Sequence, residues 1–211
     1  MAATRKLQPG FTMIEVLIAM LVLTIGLLGL VGLQVVAQRA ELESYQRAQA
    51  MVLMNDIVDR ISSNRKAAAC YAITTSATAG TPYVGATGTG VYDTSTYACP
   101  SLATNPNAVT RAGLDLQLIE EMMLGASEVT SGNRVGAMIG ARACIGFDSA
   151  SQSYTVAIAW QGLTKTFSPA GWDPTINPAF ARRCAYGTGT LYGDDAQRRV
   201  LWTTLLIASL T

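Results

Sequence analysis

The feature that most constrains this chain is an uninterrupted apolar run near its N-terminus. From Val16 to Leu33 the sequence contains 18 residues without a charged side chain. As an α-helix these residues span about 27 Å, which is close to the roughly 30 Å hydrocarbon core of a bilayer. Inside lipid such a segment has to be helical, because every backbone N–H and C=O group needs a partner within the segment. The run therefore predicts a membrane-spanning helix.

The charges on either side of this run predict its orientation. Arg5 and Lys6 precede it in a leader, MAATRKLQPG, that contains no acid, whereas Arg39 after it is followed by Glu41 and Glu43. Because cytoplasmic flanks carry an excess of basic residues, we expect the N-terminus in the cytoplasm and the bulk of the chain outside.

One acidic residue, Glu15, lies at the start of the apolar segment, one helical turn after Phe11. An ionisable group at this place costs several kcal/mol unless it is paired, so we interpret Glu15 as functional. A cut after Gly10 would create an α-amine on Phe11, which is the nearest positive charge without another use. That amine could pair with Glu15 of its own helix or of a neighbouring subunit, where a low dielectric strengthens the attraction.

The run GFTMIE, which contains Gly10, Phe11 and Glu15 and leads into a long apolar helix, resembles the N-terminus of type IV pilins and type II secretion pseudopilins. The resemblance implies that a prepilin peptidase cuts after Gly10 and that Phe11 becomes the N-methylated terminus. It implies that Glu15 neutralises the amine of an adjacent subunit during assembly. The implied partners are other minor and major pilins, the peptidase and an inner-membrane assembly platform.

This resemblance sets the expected organisation of the chain. Residues 1–10 are assigned to a leader peptide, residues 11–36 to a transmembrane and filament-packing helix, and residues 37–211 to a periplasmic pilin-like globular domain. Two other interpretations of the N-terminus stay open. A secretory signal would be cut near Ala37, although its apolar region is usually about 7–15 residues long, and a plain signal anchor would keep the leader.

Three glycines, Gly26, Gly29 and Gly32, recur every three residues within the apolar segment. Each lowers helix stability by about 1 kcal/mol relative to alanine. They would loosen the helix in a filament, or let neighbouring helices approach closely. Major pilins usually carry a proline well inside the apolar segment, and this segment has none. The alternative is that glycine is simply common in membrane helices.

Four cysteines lie beyond the apolar run, at Cys70, Cys99, Cys144 and Cys184. Their spacing matches neither a zinc site nor a CxxC redox motif. An even number in an exported chain favours two disulfides formed in an oxidising compartment, with free buried thiols as the alternative. Of the three pairings we favour Cys70–Cys99 and Cys144–Cys184, because each bond would close a loop between two cysteines that follow one another in the sequence.

From residue 37 the helix is expected to continue as an amphipathic segment and to end near residues 62–64. Its apolar face is predicted at Leu53, Ile57 and Ile61, with an upstream extension at Leu42, Tyr45 and Val52. Two i,i+4 ion pairs are expected on the helix, Glu43–Arg47 and Asp56–Arg60.

The remaining sequence predicts a second helix and a small sheet. The helix is expected over Leu114–Leu124, with an apolar face formed by Leu114, Leu118 and Met122 and with Ile119 and Met123 beside it. A period of two predicts strands over Ala141–Phe147, Ser153–Gln161 and Arg199–Ser209, with a helix as the alternative for the last. Residues 72–98, rich in Ala, Thr, Ser and Gly, are predicted as a long surface loop with room for short strands. One long helix packed on an antiparallel sheet is an α+β arrangement, which is also what the pilin resemblance implies.

Within the pilin family the chain is most similar to the PilV type of minor pilin, the type IV pilus modification proteins. The matching parts are residues 10–34, residues 54–64 with Asp59-Arg60, then Asp115-Leu116, and the strand that ends at Trp160. This similarity implies a minor pilin that is incorporated into a type IV pilus or primes its assembly. A type II secretion pseudopilin is the alternative.

Composition argues against several other functions. A net charge of +1 from 15 basic and 14 acidic residues gives no basic stripe of the kind that nucleic-acid binding requires. The chain has no histidine, the commonest general base and metal ligand. Asp194 and Asp195 are adjacent, which makes a poor calcium ligand set. We expect no enzyme, cofactor or metal; the alternative of another class is a signal-anchored periplasmic enzyme or binding module.

Overall fold

The longest element is the helix α1, which runs from Met13 to Ser63. In the computed structural model the described residues are 10–99, 105–126, 129–131, 133–134, 136, 138–169, 179–187 and 191–207. They form two units, Met1–Leu42 and Glu43–Thr211, and α1 contributes to both. The predicted continuation of the apolar helix into an amphipathic segment that ends at Ser63 is confirmed.

The other elements belong to the unit Glu43–Thr211. Two further α-helices are described, α2 over Pro106–Met123 and α3 over Ala179–Arg182. Short 3-10 helices cover Arg65–Tyr71, Thr94–Thr96 and Asp195–Gln197. The strands are β1 (Val84–Gly85), β2 (Val129–Thr130), β3 (Asn133–Arg134), β4 (Arg142–Asp148), β5 (Ser153–Gln161) and β6 (Arg198–Leu206).

Four of these strands form one antiparallel sheet in the order β1-β4-β5-β6, while β2 and β3 pair separately. Cys144 of β4 lies opposite Ala157 of β5, which lies opposite Trp202 of β6. β5 has the predicted bounds, and β4 is shifted by one residue. The last segment is a strand rather than a helix; it ends at Leu206, and the predicted end at Ser209 lies outside the described residues.

The core lies between one face of this sheet and the helices. Ile57 and Ile61 of α1 are fully buried in one cluster with Ile145, Val156 and Ile158 of the sheet. The α+β arrangement predicted from the sequence is therefore confirmed.

The predicted upstream extension of the apolar face of α1 was wrong. Leu42, Tyr45 and Val52 are 53%, 55% and 69% exposed, whereas Ala50 is fully buried. Because a helix turns by about 100° per residue, Tyr45 and Val52 lie about a third of a turn or more away from the face that Ile57 defines. A small alanine, rather than the large apolar residues, continues this face.

The predicted apolar face of α2 was wrong for Leu114 and Leu118 but right for the neighbouring Ile119 and Met123, which are buried. The helix begins at Pro106, eight residues before the predicted start, where the side chain of Asn105 accepts hydrogen bonds from backbone N–H groups of the first turn. Its buried side is formed by Ala112, Leu116, Ile119 and Met123. Leu114 and Leu118 are 55% and 45% exposed. The i,i+4,i+7,i+11 spacing that begins at Ala112 fits the core better than the leucine pair does.

One of the two predicted ion pairs of α1 is confirmed and the other is replaced. Arg60 Nε binds Asp56 Oδ2 at 2.6 Å. Glu43 pairs with Arg199 of β6 at 3.3 Å instead of with Arg47, because α1 brings Glu43 beside the start of that strand. The hydroxyl of Thr164 donates to the same carboxylate at 3.1 Å.

Residues 72–98 are not a surface loop throughout. Tyr83 and Val84 in the middle of this segment are fully buried. Val84 pairs with Ala143, so β1 adds an edge strand to the main sheet. A short strand within this segment was allowed for and is present, but the predicted surface location was wrong for this part, which is buried.

Both disulfides pair as the sequence favoured. Cys70 is bonded to Cys99, and Cys144 is bonded to Cys184. The first ties the segment around β1 to the chain that follows α1. The second joins β4 to the end of α3.

A polar network fastens α2 to the C-terminal end of α1. Asp115 of α2 is only 5% exposed, and its carboxylate accepts hydrogen bonds from Arg60 Nη1 at 2.9 Å and from the Tyr71 hydroxyl at 2.5 Å. Asn64 donates to Tyr71 and to the Ala108 carbonyl. The pKa of the Tyr71 phenol is raised well above its usual value, first by burial and then by its hydrogen bond to Asp115. The pKa of Arg60 is also raised, chiefly by its hydrogen bond to Asp56.

Candidate assembly site

The predicted site residues at the N-terminus lie where α1 begins. Gly10 and Phe11 precede the helix and are exposed, and Phe11 is 85% exposed. The Thr12 carbonyl accepts the N–H groups of Glu15 and Val16 at 3.1 and 3.4 Å, which places Glu15 in the first helical turn. Residues 1–9 of the leader lie outside the described residues.

Phe11 and Glu15 lie on one side of this helical start. Together with Ala19 they line one shallow groove along the helix surface. A residue four positions further along a helix lies on nearly the same face, so the apolar ring and the carboxylate are neighbours. The structure therefore brings together the two residues that the sequence links chemically.

Glu15 has no partner within the described part of the chain. Its exposed carboxylate makes no hydrogen bond and no ion pair with any residue there. The positive end of the helix dipole favours a carboxylate in the first turn by a fraction of a kcal/mol, which is small beside the cost of placing a charge next to lipid. A group outside the described residues is therefore needed to neutralise the Glu15 carboxylate.

The helix that follows Glu15 exposes apolar side chains on every side. Met13, Leu23 and Leu33 are 84%, 63% and 71% exposed, and residues 10–42 contain no buried residue. Among the described residues, α1 is the one helix that is long and apolar enough to cross a membrane. An apolar surface of this extent requires a cover of lipid or of other helices.

Gly26, Gly29 and Gly32 lie within this exposed part of α1. A Cβ atom built on any of the three would meet no other atom within 4 Å. Packing inside the chain therefore does not require glycine at these positions. Two physical reasons for glycine at these positions are left: the freedom of its backbone, and the close approach of another molecule.

Comparison with known protein families gives two matches in this part of the chain. Residues 5–31 match the prokaryotic N-terminal methylation motif. Residues 32–98 match the family described as type IV pilin Tt1218. The chain is a type IV pilin-like protein. No curated protein and no solved structure gave a match.

The two matches bear on the predictions from the sequence. The suspected membership of the type IV pilin-like family is confirmed, and so is the α+β fold that the resemblance implied. The methylation motif and the apolar helix fit a membrane-anchored pilin. Type IV pilins are structural proteins that interact with other pilins and with assembly machinery. The individual roles of Gly10, Phe11 and Glu15 stay predictions.

The acidic residues considered for calcium are used for structure in this pilin-like protein. Asp194 pairs with Lys165 at 2.9 Å, and Asp195 pairs with Arg198 at 2.7 Å. The Lys165 ammonium lowers the pKa of Asp194, together with the backbone N–H of Ala196. Within the described residues no three acidic or sulfur ligands converge on a point where a metal ion would fit.

The structural role of Asp115 was not predicted from the sequence, where Asp115-Leu116 was only a point of resemblance and Arg60 only the partner of Asp56. The available signal was an acid on the same side of α2 as the buried residues Leu116 and Ile119. A buried carboxylate in such a place requires a partner.

Proposed function

We propose that the chain is a minor pilin of a type IV pilus, of the PilV type. In this proposal a prepilin peptidase cuts after Gly10, and the new terminus at Phe11 is N-methylated. Before assembly the apolar part of α1 anchors the protein in the inner membrane, with residues 37–211 in the periplasm. The protein then enters the pilus, or the complex that primes it, and reaches the cell surface with it.

The observation that carries this proposal is an apolar helix without any cover whose first turn presents an unpartnered carboxylate. A lipid bilayer would cover the apolar side chains, but it would leave the charge of Glu15 in place. A bundle of similar helices covers the same surface and also supplies a cation, because cleavage gives each subunit an amine at Phe11. Glu15 of one subunit pairing with this amine of the next would fix the axial register of the two helices.

The groove lined by Phe11, Glu15 and Ala19 supports this geometry. The small side chain of Ala19 leaves room beside Glu15, so that another helix can approach the carboxylate closely. Gly26, Gly29 and Gly32 extend the same possibility along the helix, since a neighbour could contact the backbone there without a clash. In the filament these glycines would also allow the helix to loosen, as proline does in major pilins.

The place of the protein is tested by shearing filaments from the cell surface. We expect the protein in the sheared pilus fraction, at a much lower amount than the major pilin, when both are quantified by mass spectrometry. A strain without the pilus assembly platform is the control, and there the protein should stay in the inner membrane. Retention in the membrane together with type II secretion components would instead identify a pseudopilin.

A further inference from the structure

The main sheet has a second face, on the side away from α1, and a groove lies on it at the end near the β4–β5 turn. The groove has a volume of about 560 Å³, within the range of small-molecule sites. Its floor is formed by one residue from each of three neighbouring strands, and its walls come from the segment after the first 3-10 helix and from α3. The residues that matter are Thr75, Gly146, Asp148, Thr155, Phe180 and Thr204.

Three hydroxyl groups in this groove have no partner within the described part of the chain. Thr155 is only 7% exposed, yet its hydroxyl makes no hydrogen bond there, and the side chain lines the groove. Thr204, directly opposite it on β6, and Thr75 on the wall are likewise without side-chain hydrogen bonds. Thr75 and Thr204 are exposed, and the Thr155 hydroxyl reaches the surface of the groove although most of the residue is buried, so all three hydroxyls are accessible to a bound group.

The remaining lining supplies an apolar wall and one carboxylate. A Cβ atom on Gly146 would lie 2.5 Å from Cζ of Phe180, so the absence of a side chain there allows the ring to reach the sheet. At the rim, Asp148 accepts hydrogen bonds from the Ser151 hydroxyl at 2.7 Å and from the Ala150 N–H at 2.9 Å. These bonds, the first more than the second, hold the pKa of the Asp148 carboxyl below its usual range.

These groups together select the chemistry of a ligand. Threonine hydroxyls both donate and accept, which matches the hydroxyl groups of a sugar, and an ionised carboxylate accepts strongly from such groups. The phenyl ring offers a surface for the apolar C–H face of a sugar ring. An anionic ligand would meet Asp148 and no cation among the described lining residues. A purely apolar ligand would displace water from the three threonine hydroxyls without replacing its hydrogen bonds.

We propose that this groove binds an uncharged saccharide, of about the size of a disaccharide, through Thr75, Thr155 and Thr204, with Asp148 at its rim. This site is separate from the N-terminal assembly site and does not depend on it. It would give the globular unit a carbohydrate-binding activity whether or not the protein is a minor pilin.

The test is saturation-transfer NMR on the full-length protein, held in a zwitterionic detergent without a sugar headgroup. The probes are the neutral disaccharides lactose and N,N′-diacetylchitobiose, which differ in their acetamido groups, and the anionic sialyllactose. We expect transfer to at least one neutral disaccharide and little or none to the sialic acid of sialyllactose. Which neutral probe binds indicates the sugar type, and no transfer to either would overturn the proposal.

Matched substitutions locate the site. Thr155→Val and Thr204→Val keep the shape and the strand preference of the side chain but remove the hydroxyl, so each should weaken binding by about threefold to tenfold. Thr203→Val is the control, because Thr203 lies next to Thr204 on β6 with its side chain on the other face of the sheet. Thr155→Val removes no intramolecular hydrogen bond, so folding should survive, as an unchanged circular dichroism spectrum would show. Equal binding by all three variants would contradict this location, and strong binding of the sialic acid would contradict the role of Asp148.

Discussion

Replacing Glu15 with alanine is expected to leave the protein in the membrane but to remove it from filaments. The substitution takes a charge out of an apolar helix, so insertion becomes easier rather than harder. It also removes the carboxylate that would pair with the Phe11 amine of a neighbouring subunit. A loss of only about 1.4 kcal/mol per contact lowers association tenfold, and an ion pair inside a helix bundle is worth more than that. We therefore expect at least about a tenfold fall in the sheared pilus fraction.

Two further variants separate charge from shape at this position. Glu15→Gln keeps the size of the side chain and should be lost from the pilus fraction like Glu15→Ala. Glu15→Asp keeps the charge and should still enter filaments in part. Glu41→Ala is the matched control, because Glu41 is an exposed acid of the same helix without an ion pair in the described residues. Normal copurification of Glu15→Ala with pilins would show that Glu15 has no role in assembly.

The second large effect is expected in the globular unit, where Asp115→Ala should lower the free energy of unfolding by about 3 kcal/mol. The change removes the acceptor of both Arg60 and Tyr71 and leaves two donors partly unpaired in a mostly buried place. Breaking a buried charged pair by removing one partner typically costs about 3–5 kcal/mol. Since Arg60 keeps its contact with Asp56 and is itself partly exposed, the lower end of this range applies.

Urea unfolding of the full-length protein in detergent, followed by near-ultraviolet circular dichroism, measures this effect. For a domain of this size the same change corresponds to a fall in Tm of about 6–12 °C. Asp59→Ala is the control, because Asp59 is an exposed acid on α1 with no hydrogen bond or ion pair to another described residue, and it should change stability by less than about 0.5 kcal/mol. Equal stability of the two variants would mean that the network around Asp115 does not fasten α2 to α1.

The parts of the fold that were predicted correctly have strong local signals. The uncharged run of α1 is too long for anything but a helix in lipid, and β5 alternates large apolar and small residues over its whole length. The disulfide pairing followed from short sequence separations. In each case the deciding information lies within one continuous stretch of the chain.

The wrong predictions concern which face of a helix is buried, and this depends on the elements that pack against the helix. The leucines of α2 suggested one face, but the close contact with neighbouring elements suits the face that includes Ala112 and Gly113; a Cβ on Gly113 would lie 2.7 Å from the Tyr97 ring. Similarly, Ala50 rather than Tyr45 or Val52 faces the core. The size of side chain that fits at a contact depends on the distance to the neighbouring element. That distance cannot be obtained from the sequence of the helix alone.

The two candidate sites differ in how far the sequence predicts them. Gly10, Phe11 and Glu15 lie within six residues, so the link between a new amine and a carboxylate can be recognised without a structure. The groove on the second face of the sheet depends on the register that places Gly146, Thr155 and Thr204 side by side. Thr204 is far from the other two in the chain, and each of the three is an ordinary strand residue by itself, so only the fold reveals the groove.

Intact mass together with N-terminal sequencing of the membrane-fraction protein shows whether the chain is processed to a new N-terminus at Phe11. We expect a chain that begins at Phe11 and carries one added methyl group. A chain that begins at Met1 or Ala2 would indicate a plain signal anchor, and one that begins near Gln38 would indicate a secreted domain. Either of these results would rule out the proposed assembly contact, because neither supplies the Phe11 amine that Glu15 is proposed to bind.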